Sequence, residues 1–139
     1  MASKIYHCTI EVRGYELDSL GHVNHAMYFS YLEHARWKML EQEGITLSVF
    51  ETWKRWPVVV GIEAHFLRPT YISETLNIKT MVVEHGRASF IFDQVISRGE
   101  QAVFRAKVRA TLLNERGRPS DLPTEMGRLW QETTIGGAV

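Results

Sequence analysis

The chain predicts an α+β domain in which one curved antiparallel sheet of about five strands wraps one long central helix. Three observations carry that expectation. Tyr6, Cys8, Ile10 and Val12 alternate with His7, Thr9, Glu11 and Arg13, the period-two pattern of a half-buried strand. A single long segment beginning at Asn24 repeats its apolar residues at helical spacing. Everything after Pro57 reads as strands separated by turn residues.

The elements follow in order. Gly14 to Gly21 is a loop. Tyr28, Leu32, Ala35 and Met39 form a helical stripe, widened by Ala26, Phe29, Tyr31 and Leu40, so protein covers this helix on several sides. Gly44 is a natural C-terminal stop. Thr46 to Lys54 is a short helix or a loop. Val58 to Leu67 starts apolar and β-branched and ends at Arg68-Pro69. Thr75 to Glu84 carries Leu76, Ile78 and Val82 on one face. Gly86 turns the chain into Ala88 to Ser97, where Phe90 and Phe92 alternate with Ser89, Ile91 and Asp93. After Gly99, Ala102, Phe104, Ala106, Val108, Ala110 and Leu112 face one way, against Arg105, Lys107, Arg109 and Thr111. The alanines on that strand let a helix lie close. Asn114 to Asp121 is a turn-rich exit, Pro123 to Glu132 a short terminal helix, and 135–139 a frayed tail.

With 139 residues, no repeat and no linker, residues 1–139 read as one domain. Sixteen basic and sixteen acidic residues cancel, which gives no electrostatic reason to expect a nucleic-acid partner. The single cysteine, Cys8, rules out an internal disulfide and fits a reducing compartment. The N-terminal MASKIYHCTIEV alternates instead of running apolar, unlike a signal peptide. No apolar run approaches the roughly 20 residues that span a bilayer. The expected setting is cytoplasmic.

Chemistry concentrates in Asp18-Ser-Leu-Gly-His-Val-Asn-His25, at the mouth of the helix. Asn24 is a strong N-cap residue. If its side chain accepts from the Met27 N–H, the amides of His25 and Ala26 stay without intrahelical partners, where the helix dipole adds partial positive charge. Such a helix start can hold a polarised carbonyl or an oxyanion. Asp18 is close enough for its loop to fold back, either to attack an acyl carbon or to take a proton from water. Gly21 allows close backbone approach or a positive φ. Plainer readings stand beside this one. Asp18 is solvated or caps the loop, His22 and His25 are ordinary histidines, or the three form a metal cluster for which no further ligand pair is evident. Tyr28 and Tyr31 read as core, Glu33 and Arg36 as a surface pair, and Arg105, Lys107 and Arg109 as a solvated or subunit-facing ladder.

The pattern Asp18-x-x-Gly21-x-Val23-x-x-x-x-Tyr28-x-x-Tyr31-x-Glu33-x-Ala35-Arg36 resembles the signature of hotdog-fold thioesterases of the 4-hydroxybenzoyl-CoA type. The likeness continues through FLRPTYISETL (Phe66–Leu76), GRASF (Gly86–Phe90) and ERGRPSDLP (Glu115–Pro123). The resemblance implies an acyl-CoA or acyl-ACP thioesterase without metal or cofactor. It implies a homodimer with sheets joined edge to edge, or a dimer-of-dimers tetramer, with active sites at the dimer interface. Asp18 matches the nucleophile or general base, and His25 the position whose backbone N–H polarises the thioester carbonyl. His22 either assists Asp18 or orients the loop. Gly21, Asn24, Tyr28, Val59 and Val60 are the substrate-facing set, and Arg87 matches basic residues that meet the CoA nucleotide. His22-Val-Asn24 is similar to the acyl-ACP branch, yet Leu20 and His25 replace its asparagines, and His25-Ala-x-Tyr28 resembles the short acyl-CoA branch. Chain length and carrier therefore stay open. A hotdog hydratase and a non-catalytic acyl-CoA-binding module are the alternatives.

Overall fold

A computed structural model describes residues 4–130. Its elements are β1 (Tyr6–Glu11), α1 (His25–Gln42), α2 (Leu47–Trp53), β2 (Trp56–Phe66), β3 (Thr75–His85), β4 (Ser89–Arg98) and β5 (Gln101–Leu113). The strands form one antiparallel sheet in the order β1-β3-β4-β5-β2, so β1 and β2 are its two edges. The expected α+β architecture, a hotdog arrangement of one sheet and one long helix, is the observed one.

Local sequence explains most boundaries. Asn24 caps α1, and Gly44 follows its end with φ +74°. Tyr28, Tyr31, Leu32, Ala35 and Met39 are the buried face, at the spacing the stripe predicted. They meet the inner rows Leu76–Ile78–Val82, Phe90–Phe92–Ile96 and Phe104–Ala106–Val108–Ala110–Leu112, all buried. Thr46 to Lys54 resolves as the helix α2, closed by Lys54 in the left-handed region at φ 58°. The terminal helix is a short 3-10 segment, Thr124–Leu129, anchored by buried Met126 and Leu129. The tail 135–139 lies outside the described residues.

Two expectations are corrected. Glu33 and Arg36 make no ion pair among the described residues. Glu33 accepts from the Trp37 indole at 3.4 Å, while Arg36 turns inward and donates to Gln94 at 3.0 Å. The β5 alanines do not all serve close helix packing. α1 approaches β1 and β3 most closely, and Ala110 borders a cavity instead.

The helix thus sits off-centre over the sheet and leaves the inner row of β2 only partly covered. Val59, Ile62 and Phe66 are 42, 42 and 52% exposed, although each faces a buried β5 partner: Ala110, Val108 and Phe104. A bulge between Val59 and Gly61 makes this row possible. Without the extra residue, Val60, Val59 would point to the other face of the sheet.

Candidate active site

The loop before α1 is stitched to itself. Leu17 bridges Val23, Asp18 N–H donates to His22 O at 2.7 Å, and Gly21 N–H donates to Asp18 O at 3.1 Å. Asp18 Oδ1 accepts from the Leu20 and His22 amides at 2.9 and 3.1 Å. This is the local side-chain-to-backbone turn that Asp forms readily. Gly21 has φ +79° with open space around it, so the backbone conformation is what calls for glycine. Asp18 is exposed, and its second carboxylate oxygen has no protein donor among the described residues.

At the helix start the cap differs in detail from expectation. Asn24 Oδ1 accepts from Ala26 N–H at 2.9 Å, and Met27 N–H donates to the Asn24 carbonyl at 2.9 Å. Of the first three amides only that of His25 is left without an acceptor among the described residues. That donor sits at the positive end of a helix of 18 residues.

Asp18, His22, Val23, His25, Tyr28, Phe66, Leu67, Arg68 and Pro69 line one open cleft of about 350 Å³. The fold therefore brings Asp18, His22, His25 and Tyr28 together. The His22 ring packs edge-on against Tyr71, centroids 5.2 Å apart, and its backbone rather than its imidazole engages Asp18. Tyr28 is buried. Its hydroxyl shares a 2.7 Å hydrogen bond with Thr70, and its ring stacks on Phe104 and meets Phe66 edge-on. Burial, more than its hydrogen bond to Thr70 offsets, pushes the Tyr28 phenol above its ordinary range.

The structure does not bring the other expected residues into this cleft. Val59 lies at the opposite end of the exposed β2 row, and Val60 is the bulge residue. Arg87 follows β3 at the end far from the Asp18 loop, about 30 Å away along an eleven-residue strand, and is paired with Asp121. Among the described residues no three His, Cys, Asp or Glu side chains gather as a metal site requires.

Three contributors escaped the sequence reading. Glu16, 2% exposed, accepts from the Arg13 amide and guanidinium and from the Tyr31 hydroxyl at 2.7 Å, and its own carbonyl holds the Asn24 N–H. Burial raises its carboxyl, but these donors together outweigh burial and hold it below the ordinary range. Thr70, wholly buried, anchors Tyr28 and takes the Val23 N–H on its carbonyl. Arg68 enters the cleft wall. Only Glu16 left a trace in the sequence, as an acidic residue three positions after Arg13.

Comparison with known proteins shows the family of the chain. The profile of the thioesterase-like superfamily matches residues 12–129. The chain is 38% identical over 88 residues to the long-chain acyl-CoA thioesterase FadM of Escherichia coli, covering 63% of this chain and 66% of FadM. It is 27% identical over 126 residues to a chloroplastic acyl-acyl carrier protein thioesterase of Arabidopsis thaliana, covering 89% of this chain and 66% of the relative. The chain thus spans just under two thirds of each of these curated relatives. A crystal structure described as a probable thioesterase from Bartonella henselae superposes with a TM-score of 0.82 at 31% identity, covering 86% of this chain and all of that one (100%). Among the described residues no helix is long and apolar enough to cross a membrane.

Proposed function

Since this chain belongs to the thioesterase-like superfamily, we propose that it hydrolyses acyl thioesters of coenzyme A or an acyl carrier protein. One observation carries the reading: Asp18, with one carboxylate oxygen unclaimed among the described residues, and His25, with its amide likewise unpaired, line one cleft. The thioester carbonyl oxygen accepts from the His25 N–H, and the helix dipole stabilises negative charge as it develops. In the general-base route Asp18 takes a proton from water, and the hydroxide adds to the carbonyl carbon. The tetrahedral intermediate then collapses, the C–S bond breaks, and the thiolate recovers the proton from Asp18. In the nucleophilic route Asp18 itself adds and expels the thiolate, and water cleaves the resulting anhydride. Either route ends in free acid and free thiol. His22 serves the loop, holding Asp18 through its backbone. Gly21 and Asn24 set the backbone that places both groups, and Tyr28 forms the cleft floor.

The uncovered β2 edge supports a homodimer in which two such strands pair. A long apolar edge with unpaired backbone groups is the surface that natural sheets cover. A second copy there would close the cleft on its open side, near Phe66 and Leu67, and a nucleotide contact by Arg87 would then come from another protomer. A tetramer built from such dimers, and a reducing cytoplasmic setting that suits the one cysteine, belong to the same reading.

The test is spectrophotometric thiol release from a panel of acyl-CoAs. Asp18→Asn is expected to lower kcat about 10²- to 10⁴-fold. Unchanged thiol release in that variant overturns the reading. For the assembly, sedimentation of the wild type is expected to give at least a dimer, and Ile62→Lys to weaken it. A monomeric wild type overturns the paired-edge arrangement.

A further inference from the structure

A second, smaller cavity of about 90 Å³ lies beside the far half of α1, walled by Arg36, Trp37, Phe50, Val59, Phe92 and Ala110 among others. Its lining is apolar except for Arg36 and Glu33. Arg36 is the unusual member. It is half-buried, its guanidinium lies 5.7 Å from the Phe92 ring centroid, and it has no carboxylate partner among the described residues. Burial pulls its basicity below the ordinary arginine range, and Glu33 only partly restores it.

Its single protein acceptor among the described residues is fixed in place. Gln94 is completely buried and donates through Nε2 to the Leu32 carbonyl at 3.1 Å and to Thr80 Oγ1 at 3.0 Å. A backbone carbonyl can only accept, so the amide cannot flip, and its Oε1 is committed to Arg36. A guanidinium has five donor hydrogens in a rigid fork. One is used to lock it, and its other nitrogens are not sealed from accessible space. A charged donor held against an apolar pocket is poorly solvated when the pocket holds only methylenes, and gains a strong hydrogen bond when an acceptor enters.

The inner row of β2 runs between the two: Phe66 lines the Asp18 cleft, Val59 lines this cavity, and exposed Ile62 and half-buried Ala64 lie between them. From His25 to Arg36 the helix rises about 16 Å. At about 1.3 Å per methylene, from the C–C bond length, that distance takes about a dozen carbons. Resting on the thioesterase reading, we infer that the Arg36 cavity is the distal subsite of the acyl groove, selecting chains of about a dozen carbons that end in an oxygen acceptor, hydroxyl or carboxylate. The thioester sits at the His25 amide, the chain lies over the β2 row, and its oxygenated end meets the free side of the Arg36 fork.

The experiment compares CoA thioesters of butanoyl, dodecanoyl, ω-hydroxydodecanoyl and ω-carboxydodecanoyl groups by thiol release. The wild type is expected to favour at least one oxygenated chain over plain dodecanoyl by about tenfold or more in kcat/KM. A lead for the hydroxy chain marks a neutral acceptor, and a lead for the carboxy chain an anion. Arg36→Met is expected to erase the advantage and leave butanoyl hydrolysis unaltered. Should Arg36→Met fail to fold, Ala110→Leu fills the cavity from its β5 wall. It is expected to slow the oxygenated chains about tenfold while sparing butanoyl. No advantage in the wild type, or an advantage that survives in the folded variant, overturns this inference alone. Failure to release thiol from any of the four, butanoyl included, overturns the thioesterase reading and this inference with it.

Discussion

Glu16 and Asp18 sit on the same loop with only Leu17 between them, and their carboxylates live in opposite worlds. Glu16 faces inward, is buried, and spends both oxygens on Arg13 and Tyr31. Asp18 lines the cleft and gives one oxygen to two loop amides, while the other has no donor among the described residues. The first carboxylate is consumed by structure, since its donors replace the water it lost. The second is held in place yet unspent, which is what a reacting group needs. Two carboxylates two residues apart thus differ in how far their hydrogen-bonding capacity is filled, and the proposed function assigns the chemistry to the less filled one.

The largest test of that contrast is Asp18→Asn. The amide keeps an oxygen for the Leu20 and His22 donors, so the expected loss is in turnover, with the thermal midpoint shifted little. A comparable collapse of stability would make Asp18 a second scaffold residue and erase the distinction. Next comes Glu16→Ala, which orphans the Arg13 amide and the Tyr31 hydroxyl. Each buried group left unpaired costs about 1–3 kcal/mol, to be read by urea unfolding. A fully stable Glu16→Ala with lost thiol release would invert the assignment.

The smallest effect is the pH dependence. Glu16 and Glu43 both have folded-state carboxyls lowered below their unfolded values. Burial opposes this in each, and for Glu43 the donors Lys4 and Tyr6 outweigh it. The stability they contribute is present above the ordinary glutamate range, about pH 4.3, and is lost as pH falls through the lowered folded values. Urea midpoints measured downward from neutral pH should therefore drop on acidification. Glu16→Gln should flatten part of that drop.

How much was legible follows from how far apart the partners are. Asp18, Gly21, Asn24 and His25 act within eight consecutive residues, so the turn, the cap and the unpaired amide were readable as local chemistry. Even there the amide that donates to the Asn24 cap is that of Ala26 instead of Met27, because cap geometry allows either donor. The partners of Tyr31, Tyr28 and Arg36 are Glu16, Thr70 and Gln94, on segments 15, 42 and 58 residues away. No periodicity encodes such pairs. Arg36 read as a surface residue because i,i+3 spacing to Glu33 suggests a pair, and only Gln94 on β4 draws it inward.

By itself the sequence determined the elements and the conformation of the loop. Period-two and helical spacing, a capping asparagine and a glycine at positive φ depend on near neighbours, whose sterics and hydrogen bonds are set within a few bonds of each residue. The tertiary structure alone decided that β2 lies at a bare edge, that its bulge turns Val59 inward, and that α1 sits off-centre. Those outcomes depend on strand order and on which distant surfaces exclude water together. That is a balance among whole layers, to which each residue contributes only a part.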